Sequence, residues 1–68
     1  MHHGAPDPRI REREIARLAR THPDHSHTHV ARAVDAAWRL LRTIDDPNLR
    51  MVAASFVARQ QLSSIYFR

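Results

Sequence analysis

Four histidines, His22, His25, His27 and His29, fall within eight consecutive positions of a 68-residue chain. Their spacing makes this the first place to look for a metal. If the second helix began at Asp24, His25 and His29 would stand one turn apart on one face, a bidentate pair suited to zinc, nickel or copper. If Ser26 were the cap, His25 would fall outside the helix and the pair would be lost. Pro23 prevents His22 from forming the preceding turn of that helix, although a bent connection can bring it in, and Asp24 can add a carboxylate. His3 offers a different donor set. A free amine, two backbone amides and a third-position imidazole form a square-planar copper or nickel site, and Met1 ahead of the bulky His2 is expected to be retained. No second His/Asp/Glu cluster at metal spacing complements these residues. Solvated histidines in a loop and first helical turn are therefore the favoured reading, His3 is read as part of an incidental chain start, and no metal or cofactor is assigned.

The same cluster carries an expectation about pH. Histidines near the positive end of a helix are disfavoured as cations, so acidification should weaken the start of the second helix. Helicity followed by circular dichroism should fall between pH 7.5 and 5, and a flat titration would count against this.

Other chemistry is limited by composition. Cysteine is absent, which removes disulfides, a catalytic thiolate and thiol-based zinc sites together. A single glycine cannot build a phosphate cradle. Ser26, Ser55, Ser63 and Ser64 lack a nucleophile elbow and a base partner at sequence level, and Asp35, Asp45 and Asp46 are explained by solvation and helix capping. The chain reads as non-enzymatic.

Nucleic-acid binding is the rival reading from another class. Arg9, Arg11, Arg13, Arg17 and Arg20 crowd the first helix, the formal charge is +4, and three-helix units include helix-turn-helix proteins. Against it, Glu12 and Glu14 interleave with those arginines at pairing distance. A recognition helix in third position would open with Asp45-Asp46 beside phosphates. Its Asn48, Arg50, Gln60 and Gln61 are scattered rather than grouped for base reading. All eleven basic residues are arginine, which together with the alanine content reads as GC-rich codon bias.

The elements that position these residues are set by proline and its neighbours. Residues 1–7 read as a loose arm and 8–68 as one helical domain. Asp7-Pro8 and Asp46-Pro47 are helix starts, with Asp as the cap and Pro in the first turn, where its missing N–H costs nothing. Pro23 ends the first helix by pushing its predecessor out of the α region. The spacing predicts helices over about 8–21, 27–44 and 47–66. Ile15, Leu18 and Ala19 form the first apolar stripe, with Ile10 and Ala16 at its margins. Val30, Ala33, Val34, Ala37, Leu41 and Ile44 form the second, widened by Trp38 and Leu40.

The third helix is apolar on two sides. Leu49, Val52, Ala53, Phe56 and Phe67 point one way, and Met51, Ala54, Ala58, Leu62 and Ile65 point roughly the other. Two neighbouring helices can cover only part of such a circumference, so the remainder is expected to be an interaction face. A chain of this length also gains little more from burial than ordering it costs. With no disulfide available, a partner chain is the natural source of extra stability.

The first helix Ile10-Arg-Glu-Arg-Glu-Ile-Ala-Arg-Leu leads into His22-Pro23-Asp24. A Ser26-x-x-x-Val30-x-x-Ala33-Val34 helix follows, then Leu49-Arg-Met-Val52 and Phe56-Val-Ala-Arg59-Gln-Gln-Leu62. Across residues 9–65 this resembles the three-helix bundle dimerisation domain of actinobacteria, which also occurs in front of low-molecular-weight-phosphatase-like arsenate reductases. The resemblance implies a homodimer built by helix packing, with no catalysis in the module. The reductase's cysteine-bearing phosphate loop is missing here, so its activity is not implied, and Ser55 stands where a charged residue is expected.

The expectation is thus an all-α three-helix bundle paired as a homodimer, acting as a non-catalytic dimerisation or protein-interaction module. Its partner is itself, with another protein as the second option. The contact candidates are Trp38, Met51, Phe56, Leu62, Ile65 and Tyr66. No apolar run approaches the roughly 18 residues of a membrane span and no signal-peptide pattern opens the chain, so the expected compartment is the cytoplasm.

Overall fold

The computed structural model describes residues 7–64, which form three α-helices and no strand. They are α1 (Pro8–Thr21), α2 (His27–Leu40) and α3 (Pro47–Ser64). Each begins on a short polar side chain that accepts hydrogen bonds from the free backbone amides of the first turn, a device worth about 1 kcal/mol per helix. Asp7 Oδ1 accepts from the Arg9 N–H at 2.9 Å, and Ser26 Oγ accepts from the His29 N–H at 3.0 Å. Asp46 Oδ1 accepts from the amides of Asn48 at 2.9 Å and Leu49 at 3.4 Å. Asp7 also donates its own N–H to Asn48 Oδ1 at 3.1 Å, which ties the start of α1 to the start of α3. Asp7 therefore belongs to the folded body rather than to the arm. His3 lies outside the described residues.

α1 stops where Pro23 requires. The His22 N–H closes the last turn on the Leu18 carbonyl at 2.9 Å, and the chain turns through residues 23–25. α2 ends at Leu40, short of the expected 44, and the cause is a side chain from α3. The Arg50 guanidinium donates to the Trp38 carbonyl from Nε at 2.9 Å and from Nη2 at 2.6 Å. That carbonyl would be the i−4 acceptor of a continuing helix. The Leu41 N–H meanwhile bifurcates between the carbonyls of Ala37 and Trp38, which tightens the end. The same guanidinium lies over the Trp38 ring, 3.9 Å from its centroid, a cation–π contact that covers the indole from within the chain.

The core lies on the shared axis of the three helices. Ile15 and Leu18 enter it from α1, Val30, Val34 and Ala37 from α2, and Met51, Ala54, Ala58 and Leu62 from α3. Ala37, Ala54 and Ala58 are fully buried and small, which lets α2 and α3 approach closely. Of the two apolar sides of α3, the one bearing Met51, Ala54, Ala58 and Leu62 faces inward. Leu49, Val52 and Phe56 are left in solvent.

Candidate interaction face

The charged side chains around α1 are held mostly by one another. Arg11 forms a bidentate pair with Asp35 of α2, its Nη2 lying 2.9 Å from Oδ2 and 3.1 Å from Oδ1. Arg17 reaches back one turn to Glu14 at 2.8 Å, the helical pairing expected of the interleaved acids. Arg9 and Arg13 also lie within 4 Å of a carboxylate, at Asp7 and Glu14 respectively.

Glu14 is the feature that sequence reading missed. Its side chain is only 5% exposed, and its Oε1 accepts from the Ser55 hydroxyl of α3 at 2.8 Å. A buried carboxylate survives because it is hydrogen-bonded and paired. Its placement was signalled: Glu14 stands four residues after Ile10 and four before Leu18, on the apolar side of α1. Ser55, buried beside the inward stripe, answers it with a hydroxyl where a larger charged group would need space of its own.

Around this pair runs a half-open groove of about 540 Å³ between α1 and α3. Glu14, Arg17, Leu18 and Thr21 line one wall, and Val52, Ser55, Phe56 and Arg59 line the other. His22 and Ser63 close one end. The outer wall continues as the uncovered face of α3. Leu49 is 58% exposed, Val52 45% and Phe56 56%, and they recur at three- and four-residue spacing, the seam of a helix that packs against another helix. Arg59 extends the seam, its guanidinium 5.4 Å from the Phe56 ring centroid. Leu40, the other large exposed apolar residue among those described, stands at the end of α2 and joins no such row.

The contact candidates divide accordingly. Phe56 is on the uncovered seam. Met51 and Leu62 are each 1% exposed in the chain's own core, so they are corrected from interface to core: their side of α3 is the one that α1 and α2 cover. Trp38 is half-buried under Arg50, away from the seam. Ile65 and Tyr66 lie outside the described residues.

The histidines occupy the α1–α2 connection. Because Ser26 is the cap, His25 precedes the helix, yet its ring stacks on that of His29 with centroids 4.8 Å apart and planes 10° from parallel. Lone pairs on imidazole nitrogens lie in the ring plane, so two stacked rings do not aim them at a common point. His22 uses both nitrogens elsewhere: Nδ1 lies 3.1 Å from the Leu18 carbonyl, and Nε2 lies 3.3 Å from Ser63 Oγ. Among the described residues no group of three or more His, Asp or Glu side chains is arranged to hold a metal.

The Ser63–His22 contact pairs a hydroxyl with a base. Its third member, however, is a neutral carbonyl, and Ser63 is exposed within the last turn of α3. No helix among the described residues is long and apolar enough to cross a membrane. No family model, curated protein or solved structure matches this chain.

Proposed function

We propose that the chain is a non-catalytic interaction module that associates with a second copy of itself through the uncovered face of α3. One observation carries this reading: among the described residues, the large exposed apolar side chains Leu49, Val52 and Phe56 fall on a single row of one helix. A surface helix of a self-sufficient bundle carries one apolar stripe and a polar back, whereas α3 is apolar on both. Among the described residues the nine buried apolar ones include three alanines, which makes for a small core, and burying a second face adds what such a core lacks. The resemblance to actinobacterial three-helix dimerisation domains points the same way. The polar residues of the groove serve structure in this reading: Glu14 and Ser55 lock α1 to α3, and the arginines neutralise carboxylates.

Sedimentation equilibrium at micromolar concentration is the test. The expected mass is twice the 7.9 kDa of the chain. The melting temperature should also fall on dilution, because association adds to stability by mass action. A single 7.9 kDa species over the whole accessible range, with a concentration-independent melt, would refute the proposal.

A further inference from the structure

The exposed row on α3 has a polarity that restricts how two copies can meet. Asp45, in the loop just ahead of the cap residue Asp46, is exposed and acidic, and Arg59 toward the other end of α3 is exposed and basic. Between them stand Leu49, Val52 and Phe56. Taken about Val52 the row is close to symmetric. Within α3, Leu49 lies three residues before it, Phe56 four after and Arg59 seven after, while Asp45 stands outside the helix at its N-terminal end.

We infer that two copies pair through α3 in antiparallel orientation about a two-fold axis beside Val52. Phe56 of each chain then packs on the partner's Leu49, and Arg59 faces the partner's Asp45. The inference rests on the self-association proposed above and specifies its geometry. An isologous contact requires a surface complementary to itself, and a row acidic at one end, basic at the other and apolar between meets that condition only when reversed. A parallel pairing would set Arg59 on Arg59 and Asp45 on Asp45. Moving the antiparallel axis to Phe56 would set Val52 against Arg59 and Leu49 against Ser63, matching apolar groups with polar ones. Beside Val52 the apolar layers are matched, valine on valine and phenylalanine on leucine, and each guanidinium meets the acidic end of the partner helix. Asp46 is occupied in capping α3, which leaves Asp45 as the exposed acid for this role.

The absence of cysteine makes the test clean, since any introduced thiol is the sole one. Val52→Cys stands on the proposed axis at an exposed position and should form a covalent dimer rapidly under mild oxidation. Ser63→Cys, roughly 33 Å along the axis from its own copy at 1.5 Å per residue, should remain uncrosslinked under the same conditions. In sedimentation, Arg59→Glu should weaken the dimer about tenfold through two lost pairs and new repulsion, and so should Asp45→Arg. The double variant Arg59→Glu/Asp45→Arg should return to near the original affinity. Equal crosslinking at both cysteines, no crosslinking at Val52→Cys, or no rescue by the double variant would overturn this register even if sedimentation shows a dimer. A monomer at every concentration would overturn the register together with the reading it rests on.

Discussion

Met51→Ala is expected to destabilise the chain by about 2–5 kcal/mol, whereas Leu49→Ala, two residues earlier in the same helix, should leave the intrinsic fold within about 0.5 kcal/mol of the original. The two side chains are similar in size and hydrophobicity and differ in the direction they face. Met51 is 1% exposed among Ile15, Leu18, Val30 and Val34, so truncation loses its transfer free energy and leaves a cavity in a core too small to collapse around it. Leu49 is 58% exposed and leaves no cavity. In a domain of this size each kcal/mol moves the melting temperature by about 4–8 °C, so the Met51 variant should melt at least ~10 °C lower. Urea unfolding at several protein concentrations separates the two effects. Met51→Ala should lower stability at every concentration. Leu49→Ala should chiefly diminish the part of the stability that rises with concentration. Equal, concentration-independent losses would mean that the inward and outward faces of α3 have been assigned wrongly.

Ser55→Ala is expected to cost about 1.5–3 kcal/mol, a large effect for the removal of one oxygen. The hydroxyl donates to Glu14 Oε1 at 2.8 Å, and the carboxylate it serves is 5% exposed. Serine lies equally close to the Val52 carbonyl of its own helix, but a single proton favours the charged acceptor. The asymmetry is informative: with Glu14 gone Ser55 can turn to Val52, whereas with Ser55 gone that carboxylate oxygen has lost its donor. Glu14→Met/Ser55→Ala should therefore recover most of the loss, because replacing both members of a buried polar pair with apolar groups is close to neutral. Arg17→Ala should cost less than about 1 kcal/mol, since Arg17 is 60% exposed and its pairing is screened by solvent. A double-mutant cycle by chemical denaturation measures the coupling, and strictly additive single losses would show that the contact contributes nothing.

Chain reversals and helix starts are local events, and they were legible. Asp7-Pro8, Ser26 and Asp46-Pro47 act within one turn, through a side-chain oxygen and the free amides beside it, so each helix begins at a signal contained in a few residues. The two-sided character of α3 was also written in its periodicity, because 3.6 residues per turn assigns each side chain a direction without reference to the rest of the chain. What periodicity lacks is an absolute orientation. Two apolar sides are equivalent until another helix takes one of them, and only packing against α1 and α2 turned Met51 and Leu62 into core and left Phe56 outside.

Long-range contacts were illegible for the same reason. The end of α2 at Leu40 depends on the Arg50 guanidinium arriving from α3 at the Trp38 carbonyl. The buried Glu14 depends on Ser55 arriving from forty-one residues away. His25 and His29 stack although the cap separates them into different elements, because the turn after Pro23 folds one ring over the other. By itself the sequence determined three helices, their starts and a surplus of apolar surface on the last, since those follow from backbone propensity and angular spacing. Which apolar side became the core, where α2 stopped and which carboxylate was buried were decided only in the tertiary structure, where groups distant in the chain compete for the same interior space and the same hydrogen bonds.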